Sequence, residues 1–318
     1  MKKNIFNAAI VGFGHIGKLH LETISSIKEL NVCAIVDSAP VESELPVFPS
    51  IKECHLSHPE IDLYIIATPN GYHYQQAKEV LELQKNVLVE KPIALHKKQV
   101  EELITLSHKY NVRIFTSLQL RFSPVIDYVK KLCEKNLLGQ LYLVSVECFW
   151  NRNTAYYEKS SWHGTQKTDG GILFTQFSHF LDILFYLLGN LELVSSKTEN
   201  FSHQNCIDFP DTGILQFKSG ETLGSMVYTI STYEKNFESS ITLIAEKGTI
   251  KISGQYMNQL LYHHVENTNP VKMECKTTRF HKDLYENILL SLDKNIPSIA
   301  DAENTMDVIE FIEKIMKE

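Results

Sequence analysis

A short apolar run that ends in a glycine turn and opens straight into a helix admits few folds. Residues 8–17 are such a run: Ala8-Ala9-Ile10-Val11-Gly12-Phe13-Gly14-His15-Ile16-Gly17. Gly12 permits a tight turn, Gly14 lets the backbone approach a pyrophosphate, and Gly17 lets helix and strand pack closely. The helix that starts at His15 and Ile16 presents amide donors and the positive end of its dipole to an anion. Strand before and helix after lift the bare glycine pattern above chance. A second strand, Val32–Val36, ends in Asp37, about twenty residues on, where a carboxylate accepts both hydroxyls of an adenosine ribose. The segment that follows, from Ser38 to Leu45, holds no Lys or Arg for a 2′-phosphate, so the pattern favours NAD over NADP.

Strand-like and helix-like patterns then alternate, which predicts βαβ units and a parallel sheet. Ile61–Ala67 reads as a strand ending in Thr68-Pro69-Asn70, with a helix over 72–83. Asn86–Glu90 reads as a strand that runs into Lys91-Pro92. A helix over 97–110 and a strand over 112–116 complete the set. In an open parallel sheet, ligands bind at the carboxyl ends of the strands. The glycine loop, Asp37, Thr68 to Asn70 and Glu90 to Pro92 all lie at such ends, so one crevice is expected to hold them. A lysine there meets a substrate beside a nicotinamide.

Composition removes several alternatives. The 318 residues, 43% hydrophobic and 22% charged, suffice for two cores. The net charge of −7 is scattered, which argues against a nucleic-acid or anionic-membrane partner. Met1-Lys2-Lys3 before Ile5-Phe6 has the outline of a signal peptide, but Asn4 and Asn7 interrupt it. No stretch nears the roughly 20 apolar residues of a spanning helix. Six cysteines without a Cys-x-x-Cys pair read as buried free thiols of a cytoplasmic protein. No cluster has metal-ligand spacing, so no metal is expected.

After residue 120 the pattern changes. A helix over 124–135 leads to a long strand, 141–150, and a loop rich in Asn, Tyr and Trp. Asp169–Gly189 reads as one buried helix closed by glycine. Strand candidates over 191–199, 212–217, 222–229, 239–245 and 249–253, joined by short turns, predict an antiparallel sheet. Helices over 280–293 and 302–317 finish the chain. The expected α/β architecture is a Rossmann domain, 1–120, and an α/β domain, 121–318, with a large, mostly antiparallel open sheet. The last helices are free to pack back on the first domain.

Taken together, Gly12 to Gly17, Ala67 to Asn70 with His73, Val87 to Pro92, Gln119 to Pro124, and Gly170-Gly171 through His179 to Asp182 resemble the glucose-fructose oxidoreductase, inositol dehydrogenase and MocA family over essentially the whole chain. The resemblance implies NAD(P)-dependent redox chemistry on sugars or polyols, and association into a homodimer or homotetramer through the open sheet. It assigns Lys91 to hydrogen-bond the reacting oxygen and His179 to take its proton, a task suited to a neutral imidazole. His73, Glu90 and Gln119 join the cofactor contacts, and Trp162 packs near the nicotinamide.

One departure stands out. Many members carry Asp four residues before the histidine, on the same helical face, where this chain has Thr175. Thr175 orients His179 without supplying charge, and an uncharged residue here resembles the branch acting on nucleotide-linked sugars, such as UDP-N-acetylglucosaminuronate 3-dehydrogenases of surface-polysaccharide pathways. Asp182, one turn after His179, either replaces the missing partner or satisfies packing. The substrate side is expected in Phe149–Asn153, Tyr156-Tyr157 and Ser161–Thr165, rings and donors suited to a sugar and a diphosphate. Arg121 and Arg152 are the cationic candidates, with His163 and Gln176 as further contacts. The same aromatics also fit a surface loop or subunit contact. The expected activity is NAD-dependent oxidation of a sugar hydroxyl, at C3 of a nucleotide-linked sugar. The alternatives are a polyol or inositol dehydrogenase, an NADP-dependent keto-sugar reductase, and a non-catalytic NAD-binding sensor.

Overall fold

A computed structural model describes residues 5–269 and 271–317. The chain divides into two compact units, Met1–Gln119 with Thr278–Ile309, and Leu120–Thr277 with Glu310–Glu318.

In the first unit, β1 (Phe6–Val11), α1 (His15–Ile24), β2 (Leu30–Val36), β3 (Val47–Phe48), α2 (Ile51–Ser57), β4 (Leu63–Ile66), α3 (Asn70–Glu82), β5 (Asn86–Val89), α4 (Lys97–Tyr110) and β6 (Ile114–Thr116) follow in order. The six strands form a sheet in the order β3-β2-β1-β4-β5-β6, parallel throughout. Helices cover such a sheet, so its strands are apolar without alternation: all four residues of β4 are buried. The amphipathic helices follow the same logic, with Gly17, His20 and Ile24 forming the buried face of α1 and Val100, Leu103 and Ser107 that of α4. The order reverses between β1 and β4, which makes their carboxyl ends the switch point where this architecture binds ligands.

In the second unit, α5 (Pro124–Glu134), β7 (Leu141–Phe149), α6 (Thr154–Glu158), α7 (Ile172–Thr175), α8 (Ser178–Leu188) and strands β8 (Glu192–Glu199), β9 (Thr212–Ser219), β10 (Thr222–Thr229), β11 (Glu238–Ala245), β12 (Gly248–Ser253), β13 (Gln259–Val265) and β14 (Met273–Glu274) build an eight-stranded sheet. Its order is β14-β13-β12-β11-β7-β10-β9-β8. All neighbours are antiparallel except β7 and β10, which run parallel. One face is covered: Trp150, at the end of β7, meets Phe177 and Phe180 edge-on at 5.3 and 5.9 Å and donates Nε1–H to Ser239 Oγ at 2.7 Å. Burying the indole there leaves no orphan donor.

The segment over 169–189 differs from the single helix expected. It is two helices, α7 and α8, interrupted at Gln176 and Phe177. The sequence is apolar almost all round and carries no proline, so nothing local announces the break. Tertiary bonds make it. The Thr175 hydroxyl is engaged by Asp169, and the Phe177 ring is fully buried against Trp150 and Tyr228.

The chain ends with α9 (Phe280–Lys294) and α10 (Met306–Ile315), the latter shorter than the helix expected over 302–317 because residues 302–305 form a 3₁₀ turn. In the first unit, residues 298–301 cover the edge strand β6. Thr116 donates its amide to Ala300 O at 2.8 Å, and Arg113 pairs with Asp301 at 2.7 Å. The paired edge offers no free ladder to another chain. Among the described residues, no helix is long and apolar enough to cross a membrane.

Candidate active site

In the first unit the glycine loop closes on tight steric terms. Gly12 has φ +89°, and a Cβ there would meet Thr68 Cγ2 at 2.7 Å and the Ala67 backbone at 2.9 Å. A Cβ on Gly17 would lie 2.1 Å from the Gly12 carbonyl oxygen. Both positions therefore require glycine, one for conformation and one for the contact of α1 with β1. Gly14 differs: a Cβ there meets nothing within 4 Å. The space beside Gly14 is open, and Gly14, His15 and Ile16 are exposed. No side chain caps α1, so its first-turn amides, which have no partner inside a helix, face that space. The donor set fits a pyrophosphate.

Asp37 follows β2 and is half-buried. Its Oδ2 accepts from the Phe13 amide at 2.8 Å and its Oδ1 from the Ala39 amide at 2.9 Å. Two amides fix the carboxylate between the ends of β1 and β2, and each oxygen keeps a lone pair for a ribose hydroxyl. Ser38 is exposed next to it. The arrangement fits NAD.

Thr68, Pro69 and Asn70 follow β4 and open α3, and Glu90, Lys91 and Pro92 follow β5. The Lys91–Pro92 peptide is cis. Lys91 is half-buried. His73 and Glu90, expected at the cofactor, both make internal bonds. His73 is buried, with Nδ1 2.7 Å from the Pro92 carbonyl and Nε2 2.7 Å from the Thr68 carbonyl. It bridges the turn after β4 and the turn after β5. Burial lowers its pKa, against the pull of two carbonyls that can only accept. Glu90 is also buried, with Oε1 bonded by His20 Nε2 at 3.0 Å and Oε2 accepting the Lys91 amide at 3.2 Å. Burial pushes its carboxyl up, but the bond and charge of His20 and the charge of His281 outweigh it and hold Glu90 well below the usual range. Gln119 is buried at the end of this unit, and its Oε1 has no partner.

In the second unit, the segments singled out for substrate come together around Tyr156. Its hydroxyl lies 3.0 Å from His163 Nε2 and 3.4 Å from Gln176 Nε2. Arg152 lies over the Tyr156 ring at 5.3 Å and the Trp150 ring at 4.9 Å, and Trp162 stacks on His163 with centroids 3.6 Å apart. Burial raises the Tyr156 pKa, which keeps the hydroxyl protonated. Two buried polar atoms of the cluster, Gln176 Oε1 and Arg152 Nε, have no partner, an unusual state for buried groups. His179 is half-buried in the first turn of α8.

Three expectations change here. Thr175 does not share a helical face with His179, since the break separates α7 from α8. Its hydroxyl donates to the carboxylate of Asp169, a fully buried residue that sequence reasoning passed over. Arg121 is buried, with Nε and Nη2 in a fork on Asp182 at 3.0 and 2.6 Å. That pairing also decides the role of Asp182, whose two oxygens serve Arg121.

Sequence reasoning also missed the pair that holds the Arg152 loop. His203 Nε2 donates to the Arg152 carbonyl at 2.6 Å, and its Nδ1 lies 2.9 Å from Asp211. Asp211 is fully buried and collects further bonds from Phe201, Ser202 and Thr212. No local signal links residues 51 positions apart.

Comparison with known proteins matches residues 6–118 to the family model described as oxidoreductase family, NAD-binding Rossmann fold. Residues 130–318 match the model described as oxidoreductase family, C-terminal alpha/beta domain. The fold is similar to the WlbA dehydrogenase from Bordetella pertussis, solved with NADH and UDP-GlcNAcA, at a TM-score of 0.92 and 26% identity over 100% of this chain and 96% of that one. It is likewise similar to the WlbA dehydrogenase from Chromobacterium violaceum, solved with the same two ligands, at 0.89 and 25% identity over 99% and 94%. An uncharacterised oxidoreductase of Synechocystis is 28% identical over 196 residues, 59% of this chain and 53% of that protein, so the match spans about half of that relative's length.

Proposed function

We propose that this chain, which belongs to the GFO/IDH/MocA oxidoreductase family, is an NAD-dependent dehydrogenase of a secondary sugar hydroxyl, at C3 of a nucleotide-linked sugar of the UDP-N-acetylglucosaminuronate kind. The observation that carries the reading is the common edge of the parallel sheet. The carboxyl ends of β1, β2, β4 and β5 bear Gly12 to Gly17, Asp37, Thr68 to Asn70 and Lys91, so the donor set for a dinucleotide and a reactive ammonium share one edge. NAD, when bound, supplies the hydride acceptor. Lys91 hydrogen-bonds the reacting oxygen and stabilises the negative charge that develops on it. His179 takes the hydroxyl proton, a role open to an imidazole near neutral pH. Arg152, His163 and Gln176, grouped about Tyr156, bind the sugar and its anionic group, and Trp162 borders the cofactor. Reduction of the keto-sugar uses the same groups in reverse.

The similarity to the two WlbA dehydrogenases supports the substrate class. Surface-polysaccharide assembly in the cytoplasm is the matching setting, supported by six free cysteines among the described residues. Association through the open sheet is supported by Leu143, Leu223 and Ile244, register neighbours on β7, β10 and β11 that are all exposed. Incubation with NAD and a panel of UDP-sugars, dTDP-sugars and inositols, read by nicotinamide absorbance, tests the assignment. Reduction with the UDP-linked uronate is expected. Turnover of inositols alone, or with NADP alone, contradicts it.

A further inference from the structure

We propose that His20 is a positioning residue that ties the cofactor helix α1 to Lys91 through the carboxylate of Glu90. The proposal rests on the role given to Lys91 above. His20 is fully buried on the inner face of α1, five residues after the helix begins at the glycine loop. Its Nε2 meets Glu90 Oε1 at 3.0 Å, and its Nδ1 meets the Tyr285 hydroxyl, from α9, at 2.8 Å. The His281 ring, also on α9, packs edge-on against it at 5.9 Å. The second oxygen of Glu90 accepts the amide of Lys91 itself at 3.2 Å. A continuous path thus runs from α9 through an imidazole on the nucleotide helix to the peptide that sets the direction of the Lys91 side chain. His20, Glu90 and Tyr285 are buried, and Lys91 and His281 are half-buried.

The chemistry asks for more than packing. A buried carboxylate is tolerated only when paired and hydrogen-bonded, and apolar residues of the same volume serve a purely structural site equally well or better. Here the ionised carboxylate lies next to Lys91 in the chain, and His20, bonded at close range, together with His281 and Tyr285 from α9, faces it. His20 holds one oxygen of Glu90 and so fixes which oxygen faces the Lys91 amide.

Two variants separate positioning from structure. In His20→Gln the amide cannot point at Glu90 and Tyr285 at once, as the two ring nitrogens do. Tyr285→Phe leaves His20 on Glu90 but removes the bond to Nδ1 and frees the ring to turn. The first readout needs no substrate: the rate of Lys91 acylation against pH, followed by mass spectrometry on the full chain. With Glu90 no longer held by the ring, its carboxylate is free to turn toward the Lys91 ammonium, and the midpoint for Lys91 should rise in His20→Gln by about half a unit or more, since an opposite charge nearby favours the ammonium. It should stay in place in Tyr285→Phe. The second readout is turnover with NAD and the sugar substrate, where kcat should fall about 10- to 100-fold in His20→Gln with KM little changed, the scale of a small misplacement of a reacting group. An unshifted acylation midpoint in folded His20→Gln, as judged by far-UV circular dichroism, overturns the proposal. So does a fall in kcat that tracks lost stability equally in both variants. If His20→Gln does not fold, loss of kcat without loss of stability in Tyr285→Phe upholds the proposal, and an unchanged kcat overturns it. Absence of sugar turnover in the unsubstituted protein contradicts the proposed activity and leaves the acylation arm to decide the role of His20.

Discussion

Two glycines three residues apart are expected to respond to the same substitution in opposite ways. In Gly17→Ala the new methyl lies 2.1 Å from the Gly12 carbonyl oxygen and 3.3 Å from Ile10 Cγ2. Overpacking in a core costs about 1–3 kcal/mol. The clashing atom here is backbone of the turn, which cannot swing aside as a side chain does, so a loss near about 3 kcal/mol is expected. In Gly14→Ala the methyl meets nothing within 4 Å, and the residue has φ −74° and ψ −156°, a conformation alanine adopts freely. Loss of chain freedom in the unfolded state and a poorer helix cap nearly offset each other, so stability should change by less than about 1 kcal/mol. The methyl does occupy the space left for a pyrophosphate, and NAD affinity should fall at least tenfold, about 1.4 kcal/mol or more. Urea unfolding gives the first quantity and a cofactor titration by calorimetry the second. A Gly14→Ala protein that binds NAD as the unsubstituted one does would refute the reading of this loop as the phosphate cradle. A Gly17→Ala protein of unchanged stability would refute the packing argument.

Other outcomes follow from buried charges. Arg121→Ala strands Asp182 in the core and should cost about 3–5 kcal/mol by urea unfolding. The double change Arg121→Met with Asp182→Leu should recover most of it, and a stable Arg121→Ala with weakened sugar binding would instead return Arg121 to the substrate site. Asp211 is raised by burial but lowered more by the Ser202 amide, His203 and Thr212, from the ordinary 3.8 to about 2. A carboxyl with a depressed folded value stabilises above its unfolded value, so this contribution, about 2 kcal/mol, should be present above pH 4 and drain away as the pH falls toward 2. Unfolding midpoints across that window should slope less in Asp211→Asn, and an equal slope would contradict the assignment.

Where the chain was legible, local patterns carried the information. The helix over 97–110 was readable because its apolar spacing is regular and the chain leaves it at Asn111 in the left-handed conformation, φ 54°. The nucleotide loop was readable because steric demands at Gly12 and Gly17 act over a few residues. The break between α7 and α8 was not, because Asp169 and buried rings impose it. Strand β13 was missed because a register shift against β12 blurs its alternation. At the candidate site, the strand ends that carry Asp37 and Lys91 were readable from the alternating pattern. The partners that hold the site were not: His20 and Glu90 lie 70 residues apart, and Arg121 and Asp182 lie 61 apart. For Arg121 and Glu90, sequence reveals the charge but not the distant partner that burial gives it.

The most direct measurement compares Lys91→Met and His179→Asn with the unsubstituted protein in steady-state reduction of NAD by the UDP-linked uronate, with NAD affinity measured alongside. General acid–base catalysis contributes about 10²- to 10⁴-fold. Each substitution should therefore lower kcat by at least about a hundredfold while NAD affinity stays within a few-fold. Near-native turnover in either variant, with NAD still bound, would contradict the account.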